Sequence, residues 1–131
     1  MKKHIVKIFS TVMIAVLLSV SVFAQQKTVL PVDEYEKAVQ AKATQVLDVR
    51  RPDEFKEGHI KGAVNANWQD QKTFVEQAGK LDKSKPVYVY CLSGVRSDKA
   101  AIWLIEHGFT QVVNLKGGIE AWKEAKKPLE Q

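Results

Sequence analysis

The stretch "VYVYCLSGVRSDKAA", Val87 to Ala101, holds the only cysteine of the 131-residue chain. Cys91 follows an apolar run and precedes Leu92, Ser93, Gly94, Val95, Arg96 and Ser97. An isolated cysteine beside an apolar run is ordinarily a small buried hydrophobe. The residues after this one support a different chemistry. If the loop curls around the sulfur, its backbone N–H groups from Leu92 to Arg96 point inward and form an anion-binding nest. Gly94 lets the backbone turn, Arg96 contributes a positive charge, and Ser97 can donate a hydroxyl hydrogen bond and cap a helix. The positive end of that helix faces the same place. Each of these favours thiolate over thiol, and the thiolate is the nucleophile. A depressed Cys91 pKa is therefore expected.

Two nucleophilic chemistries fit such a loop. Four residues, Leu92 to Val95, separate Cys91 from Arg96. Cysteine phosphatases and arsenate reductases use a loop one residue longer, which encircles a whole tetrahedral oxyanion. The shorter ring suits a single terminal sulfur on the cysteine, and the loop holds no carboxylic acid to protonate a leaving alkoxide. Spacing thus favours sulfur transfer over phosphate hydrolysis. A non-catalytic sulfur-carrier or binding module remains a third reading.

Short apolar runs alternate with helical patterns on either side of this loop. "VDEYEKAVQA" reads as a helix with Val32, Tyr35, Ala38 and Val39 inward, "QVLDV" as a buried strand, and "PDEFKEG" as a short helix ended by Gly58. "GAVNA" is a weak strand, and "DQKTFVEQAGKL" a helix with Phe74, Val75 and Ala78 inward. "PVYVY" is the clearest strand and "SDKAAIWLIEHG" the clearest helix, with Ser97 as N-cap. "QVVNL", a Gly-Gly turn and "IEAWKEAKK" close the chain as strand and helix. The alternation specifies an α/β fold with a mostly parallel sheet. In such sheets ligands bind beyond the carboxyl ends of the strands. Cys91 occupies one such end, and Val49-Arg50-Arg51 and Leu115-Lys116-Gly117-Gly118 occupy two others.

Residues 1–24 read as a cleaved secretory signal: Lys2, Lys3 and Lys7, then "IFSTVMIAVLLSVSVF", then small residues before Gln25. The apolar run is shorter than the ~20 residues a spanning helix needs, so no stable membrane anchor is expected after cleavage. One domain, residues 25–131, remains, and the net charge falls from +5 to +2 as three lysines leave. No basic stripe survives, which argues against nucleic acid as a partner. The expected location is secreted, in the periplasm.

Three segments carry a family resemblance. "VLDVRRPDEFKEGHIKGAVN", "YCLSGVRS" and "VVNLKGGIEAW" resemble, in order, the signatures of single-domain rhodaneses, the thiosulfate sulfurtransferase-like family. The resemblance implies a five-stranded, mostly parallel sheet with helices on both faces. It also implies a cycle in which Cys91 takes the outer sulfur of thiosulfate or another persulfide or polysulfide donor and passes it to cyanide or a thiol acceptor. Leu92 to Ser97 would form the binding loop. Asp48 and Arg50 are expected to brace it from a neighbouring strand end, Arg51 to lie near the mouth, and Lys116 to add positive potential. Trp68 is placed in a loop bordering the pocket, and His59 in a structural turn. No cofactor and no metal is expected. Leu92, Ser93 and Val95 leave the entrance neutral, so a protein persulfide or polysulfide donor is expected over thiosulfate.

Overall fold

The computed structural model describes residues 24–41 and 43–131. The expected signal, apart from Ala24, lies outside the described residues. Among the described residues, five strands and five helices follow in the order β1 (Gln26–Leu30), α1 (Val32–Val39), β2 (Gln45–Asp48), α2 (Pro52–Glu57), β3 (Val64–Asn65), α3 (Gln71–Ala78), β4 (Val87–Tyr90), α4 (Val95–Glu106), β5 (Gln111–Leu115) and α5 (Gly118–Glu124). The strands form one sheet in the order β1-β5-β4-β2-β3, and every pairing is parallel. The sheet is therefore wholly parallel where the sequence required only a mostly parallel one. Among the described residues no helix is long and apolar enough to cross a membrane.

β4 sits at the centre because its side chains can be buried on both faces. Val87 and Val89 point into a core with Phe74, Ala78, Ala100, Ala101 and Leu104, under α3 and α4. Tyr90 points into the opposite core with Tyr35, Ile119 and Trp122, under α1 and α5. β2 and β5 alternate in the same way, with Leu47 and Val112 on the first side and Val46 and Val113 on the second. The pleat thus makes β4 the rigid axis of the domain, and Cys91 is the residue at its carboxyl end.

Three readings of the sequence are corrected. β1 was not foreseen: "QKTVL" has a polar half and lies at the sheet edge, so it lacks the apolar run that marks a central strand. α4 begins at Val95 rather than after Ser97, and its N-cap is Gly94 in a left-handed conformation with φ of 109°. Val75 is 46% exposed, because α3 turns only Phe74 and Ala78 fully inward. The expected inner face of α1 holds: Tyr35 is fully buried, and Val32 and Val39 pack partly buried against the same core.

Candidate active site

Cys91 ends β4 with its sulfur turned inward, and the residue is 1% exposed. The chain then makes a tight loop into α4. Gly94 supplies the turn: at its φ of 109° a side chain would be strained, and its N–H reaches the Cys91 Sγ at 3.1 Å. Ser97, fully buried in the first turn of α4, donates its hydroxyl to Sγ at 3.2 Å. Ser97 lies inside α4 rather than before it because the helix already begins at Val95, with Gly94 at the N-cap. Burial pushes the thiol up, but the Ser97 hydroxyl and the N–H groups of Ser97, Gly94 and Ser93 outweigh it, and the pKa falls below the ordinary thiol value. The positive end of α4 acts in the same direction.

The loop is clamped from three sides. On one, α5 begins against it: the Ile119 N–H donates to the Cys91 carbonyl at 2.9 Å and the Glu120 N–H to the Leu92 carbonyl at 3.1 Å. Gly118 makes this approach possible, since a Cβ there would lie 2.4 Å from the Leu92 oxygen. On the second, the Asn114 side chain of β5 donates to the Gly94 carbonyl at 3.3 Å, which also accepts from the Asp98 N–H at 3.0 Å. On the third, Glu54 of α2 grips Arg96 with both oxygens, Nη1 to Oε1 at 2.7 Å and Nη2 to Oε2 at 3.0 Å.

Beneath the site lies a buried ion pair. Arg50 donates to Asp48 through Nε at 3.0 and 3.1 Å and through Nη2 at 2.7 Å. The same Nη2 reaches the Gly58 carbonyl at 2.7 Å. The Arg50 guanidinium carbon also lies 5.8 Å from the centre of the Tyr90 ring, and the Tyr90 hydroxyl accepts from the Ile60 N–H at 3.0 Å. The pair thus ties the end of β2 to the turn after α2 and to the residue that precedes Cys91.

A rhodanese-like domain profile matches residues 31–125. The chain belongs to the rhodanese-like family. Thiosulfate sulfurtransferase GlpE of Shewanella oneidensis is 40% identical to this chain over 96 residues, 73% of this chain and 92% of that protein. GlpE of Vibrio cholerae is 34% identical over 101 residues, 77% and 92% of the two chains. Among solved structures, the rhodanese-like domain of Alr3790 from Anabaena superposes with a TM-score of 0.68 at 32% identity, covering 77% of this chain and 76% of that one. A rhodanese-related protein from Thermoplasma volcanium gives 0.68 at 28% identity, covering 79% and 97%.

Within this rhodanese-like domain, the sequence-derived residues fall in two places. Cys91, Gly94 and Ser97 converge on the sulfur, while the side chains of Leu92, Ser93 and Val95 are exposed, Val95 by 63%. Asp48 and Arg50 lie below, engaged with each other. Arg96 differs from the expectation of an uncompensated charge, because Glu54 occupies it. Arg51 is half exposed and pairs with Asp53. Lys116 is exposed, and its N–H holds the Leu30 carbonyl of β1. Trp68 packs edge-on against Phe74. His59 stacks on Phe55, and its backbone bridges Glu130. Among the described residues no cluster of histidine, cysteine and carboxylates could hold a metal.

Sequence reasoning missed Glu54 and Asn114, and it placed Gly118 at a strand end beside Cys91 without foreseeing its close contact with the loop. Asn114 carried a readable signal: a polar residue in the apolar strand "QVVNL" needs a partner. Its Oδ1 is buried without one.

Proposed function

We propose that this rhodanese is a sulfurtransferase that carries a sulfane sulfur on Cys91. The reading rests on the Cys91 sulfur, which is held at 3.1 and 3.2 Å by two hydrogen-bond donors and has a lowered pKa in a loop too short to encircle a phosphate. The Cys91 thiolate attacks the outer sulfur of the donor. With thiosulfate, the bond between the two sulfurs breaks and its electron pair leaves with sulfite. The persulfide formed on Cys91 keeps one negative charge, which the loop N–H groups solvate. Cyanide or a thiolate then attacks the terminal sulfur, leaving as thiocyanate or a new persulfide and regenerating the Cys91 thiolate. Two half-reactions through a covalent intermediate give ping-pong kinetics.

The neutral entrance and the paired Arg96 favour a polysulfide or protein persulfide as donor over thiosulfate. The amino-terminal segment supports secretion to the periplasm as the site of action. A phosphatase reading finds less support. The carboxylate paired with Arg96, that of Glu54, is held by its hydrogen bonds to Arg96 at a pKa of about 2, so it carries no proton to give a leaving alkoxide.

Mass spectrometry after exposure to thiosulfate or polysulfide tests the proposal. One added sulfur atom on Cys91, absent from Cys91→Ser, is the expected result. No adduct with any sulfane donor would overturn it. Transfer that requires a partner protein, with negligible turnover of small donors, would instead assign a sulfur carrier.

A further inference from the structure

Glu54 does not touch the sulfur, but it determines what charge the loop around the sulfur presents. Both terminal nitrogens of Arg96 face its two oxygens, and the two side chains are only 18% and 14% exposed. The Arg51 N–H also donates to Glu54 Oε1 at 3.2 Å, and the Arg51 guanidinium lies 3.6 Å away while pairing with Asp53. Two guanidinium groups thus meet two carboxylates, and the cluster at this edge of the loop sums to zero. The buried Asp48–Arg50 pair below it is likewise neutral. A donor arriving at Cys91 meets oriented N–H groups rather than a net positive charge.

We infer that Glu54 is a specificity-determining residue: by cancelling the Arg96 charge it disfavours doubly charged sulfur donors relative to singly charged ones. The inference rests on the sulfurtransferase reading. Backbone dipoles hold one negative charge on a terminal sulfur well, whereas the second charge of a dianion is better met by a free cation, and both guanidinium groups of this cluster are already paired. The carboxylate stays ionised across the whole range in which a thiolate enzyme works, since Arg96 holds it at about 2. The cancellation is therefore a constant of the site. An arginine gripped bidentately is also fixed in position, so it cannot swing out to meet a donor.

The test compares thiosulfate, a dianion, with benzenethiosulfonate, a monoanion, with cyanide as acceptor. Each donor yields its outer sulfur to Cys91 and releases sulfite or benzenesulfinate with the electron pair of the broken S–S bond, and thiocyanate is read in both cases. Glu54→Gln keeps the shape and one acceptor for Arg96 while removing the charge. The ratio of kcat/KM for thiosulfate to that for benzenethiosulfonate is expected to rise about fivefold, the effect of one unmatched charge acting on one extra charge at a partly exposed site. Arg96→Gln leaves the carboxylate uncompensated, and the ratio falls by a similar factor. In the double variant it returns to within about twofold of wild type, and about 0.5 M salt compresses all these differences. If Glu54→Gln lowers both donors equally, or leaves the ratio unchanged, Glu54 only holds Arg96 in place and the inference is overturned. Should Glu54→Gln fail to fold, Arg96→Gln decides: a lowered ratio supports the inference and an unchanged one overturns it. If neither donor persulfidates the wild-type protein, the sulfurtransferase reading itself has failed.

Discussion

Replacing Ser97 by alanine removes a single hydroxyl from a fully buried position 3.2 Å from the Cys91 sulfur. The burial that pushes the thiol up remains, while a leading contribution holding it down is lost. A hydrogen bond to a charged group contributes about 1.5–3 kcal/mol, and sulfur is a soft acceptor, so the lower end applies. At 1.36 kcal/mol per pKa unit the Cys91 pKa should rise by about one unit. The rate consequence has two signs. Below both pKa values the variant has about a tenth of the thiolate, but each thiolate is about threefold more nucleophilic, because nucleophilicity climbs with basicity. Ser97→Ala should then react with iodoacetamide about threefold more slowly than wild type at low pH and faster at high pH, with the two profiles crossing between. Alkylation rates followed by mass spectrometry over roughly pH 5 to 10 would show this. A profile merely scaled down at every pH would refute the assignment of Ser97 to the sulfur, since damaged packing lowers reactivity without moving a pKa.

Other outcomes follow from the same geometry. Gly118→Ala would place a Cβ 2.4 Å from the Leu92 oxygen at a φ of 62°, and should cost about 2–4 kcal/mol in urea unfolding and slow Cys91 alkylation by displacing the loop. Gly62→Ala is its control, because φ is 80° but nothing lies within 4 Å; only the left-handed strain of about 1 kcal/mol should appear, with alkylation unchanged. Asp48→Ala leaves the 3%-exposed Arg50 unpaired, and equilibrium unfolding should register a loss of about 3–5 kcal/mol. The depressed Cys91 pKa also links stability to pH. Its contribution is complete above the unfolded-state thiol pKa and disappears as pH falls through the lower folded value, so wild type should gain stability over Cys91→Ala as pH rises towards about 9.

What the sequence reveals, and what it conceals, follows the range of the interactions. β4 and Cys91 could be read directly, because a central parallel strand must be an apolar run and the sulfur follows it in the chain. The Asp48–Arg50 pair is two residues apart, so its short spacing made a local brace legible. Glu54 lies 42 positions from Arg96, and nothing near either residue announces the other. Gly118 looked like half of a turn, since a glycine signals conformational freedom in sequence but shows close approach only in three dimensions. Ser97 was legible as a donor to the sulfur, but not as a residue inside the helix, because serine before an apolar helix is a capping signal and α4 begins two residues earlier. The polar edge strand β1 carried too little pattern to be seen.

The loop divides its labour between backbone and side chain. Gly94 and Ser93 serve the sulfur through backbone N–H groups, while Leu92, Ser93 and Val95 turn their side chains outward. Substitutions at positions 92, 93 and 95 therefore change the collar that an incoming molecule meets without taxing the fold. A nucleophile built on peptide groups leaves its three exposed neighbours as free variables. On the proposed sulfurtransferase reading, the domain can thus drift toward new donors and acceptors through mutations that are close to neutral for stability, keeping that reaction while exchanging its clients.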